Sequence, residues 1–202
     1  MLCVRITYLG ELGYELYIPV EQATHVYDRL VAAGESVGLR HAGLKSLASL
    51  RMEKGYRDYG HDIDNTDTVL EAGLGFAVDL GHDFIGRAAV EAQKAAGPLT
   101  RRLVQVLMSD PEPLLFHAEP VLRDGKPVGY VRAASYGHTL GGAVGLALVG
   151  SGGVETVGAG AEAVTKDWIE GAEWEVEVAG KLWPAKASLR PLYDPTNAKV
   201  KA

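Results

Sequence analysis

Residues 120–132 read PVLRDGKPVGYVR and hold two strand-like runs on either side of a tight turn. The runs at residues 120–123 and 127–132 flank the tripeptide Asp124-Gly125-Lys126. Asp-Gly is favoured in type I′ turns, because both central residues of that turn need a positive φ. The stretch therefore predicts a β-hairpin.

Further short strands are predicted on both sides of this hairpin. Strand patterns cover residues 102–108, 144–149, 174–178 and 182–189, and the turn Ala179-Gly180-Lys181 joins the last two. Several short strands separated by regular turns are typical of a small barrel or sandwich. We expect such a domain over residues 98–202.

The first half of the chain mixes strand and helix patterns. Its predicted strands are residues 2–8, 14–18 and 74–80, and its predicted helices are residues 21–34, 42–54 and 83–97, the last capped by Asp83. Stretches with the two-residue hydrophobic period of strands alternate with stretches that have the period of helices. This mixture predicts an α+β region over residues 1–97.

Composition excludes several classes of protein. The 202 residues are 47% hydrophobic and 23% charged, as in ordinary globular proteins. No apolar run approaches the roughly 18–20 residues of a membrane span. The net charge of −6 disfavours binding to a nucleic-acid backbone. Without a visible secretory signal, we expect a cytoplasmic protein that binds neither membranes nor nucleic acids.

Metal and nucleophile motifs are also missing from the sequence. The chain has six histidines, none of them at metal-ligand spacing from another, and a single cysteine, Cys3. No serine-nucleophile motif occurs. The glycine-rich residues 150–160 lack a phosphate-binding motif and predict a surface loop. We therefore predict no metal site.

The segment TYLGELGYELY, residues 7–17, carries the first candidate binding residues. Glu15 lies on the strand face opposite Tyr14 and Leu16. It is either a solvated glutamate or a ligand-facing carboxylate, which could accept two parallel hydrogen bonds from an amino-pyrimidinone edge. Tyr8 is either a core aromatic or a ring and hydroxyl that contact the same ligand.

A second candidate segment is SLRMEKGYRDYGHDI, residues 49–63. It combines cations such as Arg51, aromatic rings such as Tyr59 and turn glycines at a helix end. This combination could line a pocket for an anionic ligand. It is equally what a charged helix terminus with ion pairs looks like.

Together these motifs resemble the glycine-cleavage T-protein, or aminomethyltransferase, family. Residues 7–15 are similar to its Gly-Tyr-Thr-Gly-Glu-x-Gly-x-Glu signature. The folate-dependent carboxy-terminal part of dimethylglycine and sarcosine dehydrogenases is more similar still, over residues 49–63, 70–75, 112–115 and 136–141. The resemblance extends to residue 195 and weakens over residues 150–172.

The resemblance implies a folate-binding fold. That fold is a cloverleaf of ferredoxin-like α+β units around a tetrahydrofolate pocket, closed by a carboxy-terminal β-barrel. Tyr8 and Glu15 match positions that contact the pterin, and Glu11, Arg51 and Tyr59 are further candidates. A family arginine one turn before Arg51 is replaced by Leu47, so that contact is missing.

The resemblance also implies what this chain lacks. The family's essential aspartate lies in an amino-terminal half that nothing here matches, so we expect no catalytic residue in this chain. No dinucleotide fingerprint is present, so we expect no FAD site. A protein partner or self-association would replace the missing half.

Three functions remain open at this point. The first is the folate-binding and barrel portion of a tetrahydrofolate-dependent, aminomethyltransferase-like protein, in one-carbon metabolism of N-methylated glycines or in glycine cleavage. The second is a non-catalytic folate-binding or assembly module that needs a partner chain. The third is a truncated product without a folate site.

Overall fold

The computed structural model describes residues 1–152 and 161–202, so most of the loop predicted at residues 150–160 lies outside the described residues. Eight strands are described: β1 (Leu2–Val4), β2 (Glu15–Tyr17), β3 (Arg101–Met108), β4 (Pro120–Arg123), β5 (Lys126–Gly137), β6 (Gly142–Gly150), β7 (Trp174–Val178) and β8 (Lys181–Ser188). The described α-helices are α1 (Ala23–Gly34), α2 (Leu44–Glu53), α3 (Arg87–Ala95) and α4 (Lys166–Glu170).

Six of these strands close into a barrel, with the order β3-β6-β5-β4-β7-β8 and with β8 paired back to β3. Every pair in it is antiparallel. The sequence left a barrel and a sandwich open, and the closed sheet is the barrel. Closure leaves no unpaired edge among the six described strands of the barrel.

The predicted hairpin is confirmed. Asp124 and Gly125 have φ values of 50° and 73°, which is the pattern of a type I′ turn. Arg123 pairs with Lys126, so the turn has two residues rather than the three predicted. Strand β5 runs beyond its predicted end because a bulge between Val131 and Ala133 bends it round the barrel.

Both faces of strand β6 are covered. All nine of its residues are buried. Ala147 and Val149 belong to the cluster that fills the barrel interior. Leu146 and Leu148 pack outside the barrel in a second cluster with Met52 of α2. Helix α2 therefore lies on the outer wall of the barrel.

In the first half of the chain, three elements of the structure differ from those predicted from the sequence. Residues 74–80 do not form a strand, because no strand in the described part of the chain pairs with them and the turn at Gly75–Ala77 is a 3-10 helix instead. Helix α3 begins at Arg87 rather than at Asp83, whose carboxylate contacts the Arg87 side chain instead of capping the helix. Strand β1 is shorter than predicted.

The early end of β1 has a local cause. The Thr7 hydroxyl oxygen accepts hydrogen bonds from the backbone N–H groups of Leu9 and Gly10, at 3.1 and 3.2 Å. Such a turn competes with strand pairing. The result is a two-stranded antiparallel sheet of β1 and β2 with three residue pairs.

Residues 1–152 and 161–202 were searched for membrane-spanning helices and metal-binding clusters, and neither is found there. No helix there has both the length and the apolar character needed to cross a membrane. The same residues contain no group of three or more histidine, cysteine, aspartate or glutamate side chains placed to hold a metal ion. Cys3 is exposed and forms no disulfide.

Candidate functional site

The carboxyl end of α2 is the point where the two halves of the chain meet. Gly55, with φ of 63°, ends the helix, and Tyr56 N–H donates to the Arg51 carbonyl at 2.9 Å, as in a Schellman cap. Gln105 of β3 donates to the Met52 and Glu53 carbonyls at 2.7 and 2.9 Å. The barrel thereby satisfies carbonyls that a helix end leaves unpaired.

Two charged side chains at this helix end are fully buried. Glu53 accepts hydrogen bonds from Thr139 and Leu140 N–H at 2.7 and 2.9 Å, which fixes the turn between β5 and β6. Lys54 donates to the carboxylate of Asp194 at 2.9 Å. Burial opposes ionisation of Asp194, but hydrogen bonds from Lys54 and the following backbone leave its pKa below the usual value.

A buried ion pair shapes the loop that follows α2. The guanidinium of Arg51 donates to the carboxylate of Asp62, and the Asp58 N–H donates to the same oxygen at 2.8 Å. The side chains are 8% and 0% exposed. The pair holds residues 56–63 against the helix end.

A cleft of about 470 Å³ opens beside this loop. Three parts of the chain form it: the first loop, the segment from the end of α2 to residue 76, and the carboxy-terminal segment. Its lining residues are Tyr8, Lys54, Tyr56, Arg57, Tyr59, Ile63, Gly73, Leu74, Phe76, Leu189, Arg190, Pro191, Pro195 and Asn197. The size falls in the usual range for small-molecule sites, and the lining combines aromatic rings with cations.

Two of the predicted residues, Tyr8 and Tyr59, line this cleft together. The Tyr8 hydroxyl is buried and has no hydrogen-bond partner among the described residues. Burial raises the pKa of Tyr8, with Arg51 acting in the opposite direction. Buried hydroxyls are normally paired, so this oxygen has hydrogen-bonding capacity that the described residues do not use. Tyr59 is 69% exposed, so its ring is open to solvent.

The other three predicted residues lie elsewhere. Glu15 is exposed on β2, where its carboxylate accepts a hydrogen bond from the Tyr17 hydroxyl at 2.7 Å. Glu11 accepts from Tyr193 at 2.6 Å, and this hydrogen bond raises the pKa of Tyr193 to about 12. Arg51 is paired with Asp62. None of these three residues lines the cleft.

Sequence reasoning missed Lys54 and Arg57 as cleft residues. Arg57 donates to the carbonyls of Gly55 and Ala72 at 2.6 and 3.0 Å, and burial lowers its pKa. Lys54 meets Asp194 from a distance of 140 residues along the chain. No local sequence pattern indicates a partner that lies so far away along the chain. The sequence signal for Lys54 and Arg57 was the charge-rich segment 49–63, to which both belong.

The barrel and its attached α+β region define the class of protein. Residues 1–82 match the family model of the GCVT N-terminal domain, and residues 101–194 match that of the glycine cleavage T-protein C-terminal barrel domain. The chain belongs to the glycine cleavage T-protein family.

Relatives with known names cover nearly the whole chain. It is 40% identical over 200 residues to 4-methylaminobutanoate oxidase (formaldehyde-forming) of Paenarthrobacter nicotinovorans, a match covering 98% of this chain and 22% of that protein. It is 38% identical to human mitochondrial sarcosine dehydrogenase over 98% of this chain and 21% of that protein. The chain thus spans about a fifth of these two relatives.

Aminomethyltransferases form a second group of relatives. That of Moorella thermoacetica is 37% identical over 94% of this chain and 48% of its own length. The crystal structure of aminomethyltransferase T from Bartonella henselae superimposes with a TM-score of 0.73 at 26% identity. That match covers 91% of this chain and 47% of the other, so the fold is shared over about half of the larger protein.

Proposed function

We propose that this chain is the folate-binding and barrel portion of a cytoplasmic, tetrahydrofolate-dependent, aminomethyltransferase-like protein. Its place would be the one-carbon metabolism of N-methylated glycines or glycine cleavage. Family membership supports the general assignment. The observation that carries it is the cleft, which is lined by Tyr8, other aromatic rings and cations, and in which the Tyr8 hydroxyl has no partner among the described residues.

The lining of the cleft suits a folate. Aromatic rings such as Tyr8 and Tyr59 can stack on a pterin, and Arg57 supplies positive charge for the carboxylates of the glutamate part of a folate. When bound, tetrahydrofolate would supply N5 as the acceptor of a one-carbon unit. The residues of this chain would bind and orient it, and correct placement alone contributes strongly to such transfers.

A second candidate function is a binding or assembly module that works only with another polypeptide. The observation in its favour is that the chain spans 22% and 21% of two relatives. We assign no proton-transfer role to any residue of this chain. The two candidates share the folate cleft and differ in whether one-carbon transfer occurs at it.

We expect calorimetric titration of the chain with tetrahydrofolate to show saturable binding. Tyr8→Phe removes one hydrogen bond, so it should weaken this binding roughly threefold to tenfold. Tyr14→Phe is the matched control, because Tyr14 is 59% exposed and lies outside the cleft. Binding of equal strength in wild type and Tyr8→Phe, or no binding at all, overturns the assignment.

The first 44 residues expose many apolar side chains, and we propose that another polypeptide covers them. The exposed residues are Met1, Leu2, Ile6, Leu12, Tyr14, Leu16, Tyr17, Val20, Tyr27, Leu30, Val37, Leu39 and Leu44. So many exposed apolar side chains within one segment are typical of a surface that another molecule covers. In the isolated chain the partner would be a second copy.

We therefore expect the isolated chain to self-associate in sedimentation experiments, more strongly at higher concentration. Leu30→Glu, at an exposed position of α1, should shift the population toward monomer. Leu182→Glu places the same charge on the barrel surface and should leave association unchanged. A compact wild-type monomer that binds no apolar dye would contradict the prediction.

A further inference from the structure

Lys54 follows directly after α2, and its side chain is fully buried. Its ammonium group donates to the carbonyl oxygen of Asp194 and, at 2.9 Å, to the carboxylate of the same residue. A buried cation is unfavourable unless an anion and hydrogen bonds accompany it. Asp194 therefore satisfies the charge of Lys54 without a ligand, although Lys54 forms part of the cleft wall.

The carboxylate of Asp194 also shapes the turn that begins at this residue. It accepts hydrogen bonds from the backbone N–H groups of Ala198 and Lys199 at 2.8 and 3.1 Å. Asp194 and Asn197 have φ values of 43° and 59°, in the left-handed region that residues other than glycine adopt rarely. Such a backbone persists where surrounding contacts hold it. The ion pair with Lys54 is one of these contacts, so it fixes this turn against the end of α2.

The first loop of the chain rests on the aliphatic part of Lys54. Gly10, with φ of 83°, lies so close to it that a Cβ atom at this position would overlap with the Lys54 side chain. The Thr7 hydroxyl closes the turn that contains Tyr8, because it accepts from the N–H groups of Leu9 and Gly10. The turn that carries Tyr8 is therefore packed directly against Lys54.

The residues before Asp194 connect the same parts of the chain. The Tyr193 hydroxyl donates to the Glu11 carboxylate at 2.6 Å. The Leu192 N–H donates to the side-chain oxygen of Gln105 in β3, also at 2.6 Å. Together with the ion pair, these hydrogen bonds join the carboxy-terminal segment to the barrel, to the first loop and to the end of α2.

We propose that Lys54 and Asp194 are positioning residues for the cleft, and that their ion pair holds the turn of Tyr8 in the geometry in which a ligand is bound. This rests on the proposed folate function, and it assigns the ligand contact to Tyr8 rather than to the Lys54 ammonium. Lys54 is bonded to the carboxy-terminal turn at its ammonium and is covered by the first loop along its stem. Releasing the ammonium would loosen the support of both segments.

Three variants of the full chain test this proposal: Asp194→Asn, Lys54→Met and the double variant. Asparagine tolerates the left-handed backbone, and methionine keeps an unbranched apolar stem beneath Gly10. Each single variant leaves one buried charge unpaired, so it should unfold at a lower denaturant concentration than wild type. The double variant leaves none and should unfold near the wild-type concentration. It therefore separates positioning from stability.

Hydrogen exchange of the Leu9 and Gly10 amides in the unliganded chain reports on the turn of Tyr8. We expect this exchange to be about tenfold faster in the double variant than in wild type, because the turn opens locally without global unfolding. Affinity for tetrahydrofolate should fall about threefold to tenfold in the same variant, since part of the binding free energy is then used to order the turn.

The matched control is Lys166→Met combined with Glu170→Gln. This pair of substitutions removes a lysine–glutamate ion pair of 2.7 Å from α4, outside the cleft. Both exchange at Leu9 and Gly10 and affinity for tetrahydrofolate should stay at the wild-type values.

A double variant that does not fold is replaced by Asp194→Asn alone. Exchange of the Leu9 and Gly10 amides is then compared with that of the amides of β6, which lie in the barrel. A larger acceleration at Leu9 and Gly10 supports the proposal. Equal acceleration at both places overturns it, because the substitution would then have lowered global stability alone.

The remaining outcomes also decide the proposal. Wild-type exchange and wild-type affinity in the double variant overturn it, because the pair would then contribute to stability only. Weak binding with wild-type exchange overturns it, since Lys54 would then contact the ligand itself. Faster exchange with wild-type affinity overturns it as well, because binding would not depend on the turn. If wild type binds no tetrahydrofolate, the folate function fails, and exchange alone decides whether the pair positions the turn.

Discussion

Replacing Asp62 by alanine is expected to lower the free energy of unfolding by about 3–5 kcal/mol, because removing one member of a buried ion pair leaves the other unpaired. The Arg51 side chain is 8% exposed, so water replaces the lost carboxylate poorly. The same substitution also removes the acceptor of the Asp58 N–H. Denaturant unfolding followed by circular dichroism measures the change.

The matched control is Asp79→Ala. Asp79 contacts His82 with side chains that are 71% and 66% exposed, and pairs of this kind contribute between zero and about 1 kcal/mol. The double variant Arg51→Met with Asp62→Ala should regain most of the stability, since no unpaired charge is left. A single variant as stable as the wild type would contradict the prediction.

The pH dependence of this pair shows why the double variant should be stable. Burial raises the pKa of Asp62 above its ordinary value of 3.8, although Arg51 and the Asp58 N–H pull it down. A carboxyl whose pKa is raised by folding contributes stability below its unfolded pKa, and that contribution is lost as pH rises through the folded value. At neutral pH the charge of Asp62 therefore does not favour folding by itself. The pair fixes the loop that carries Tyr59.

The barrel was largely predictable from the sequence. Asp124-Gly125 determines a turn through its own backbone preference, and the alternation around it determines the strands. Both signals are local, so no distant partner had to be known. The strand predicted at residues 74–80 is wrong for the opposite reason: Leu74, Phe76 and Val78 alternate as a strand would, but none of the described strands pairs with them.

The candidate site was only partly predictable. Tyr8 and Tyr59 line the cleft; Tyr8 matches a family position, and Tyr59 belongs to the charged and aromatic segment 49–63. Lys54 and Arg57 depend on partners that folding brings together, which a sequence does not display. The boundary at residues 97 and 98 stays a prediction. Across it, Gln105 donates to the Met52 carbonyl and the Leu103 N–H donates to the Glu71 carbonyl, so the two regions are in contact in the folded chain.

Glu15 is the predicted site residue whose substitution is expected to change folate affinity most. Glu15 is exposed, but so are Leu16 and Tyr17, so β2 has no buried face for the predicted alternation to define. The hydrogen bond of Glu15 to Tyr17 shows that its carboxylate can accept a donor, and a pterin edge would offer two. Glu15 does not line the cleft with Tyr8. Its proposed contact with a folate therefore requires the assembly in which another polypeptide covers the exposed apolar side chains of the first 44 residues.

Glu15→Ala is expected to weaken tetrahydrofolate binding about tenfold to a hundredfold, in whatever assembly first shows binding, because the pterin donors would lose a charged acceptor. Glu15→Gln should be nearly as harmful, since an amide offers one acceptor and one misplaced donor. Glu21→Ala, on the turn that precedes α1, removes an equal charge and should change little. Unfolding should be unaffected in all three, because an exposed strand glutamate supports little packing. If wild type and Glu15→Ala bind with equal affinity, Glu15 is a solvated glutamate, and recognition of the folate must then come from the cleft of Tyr8 and Tyr59.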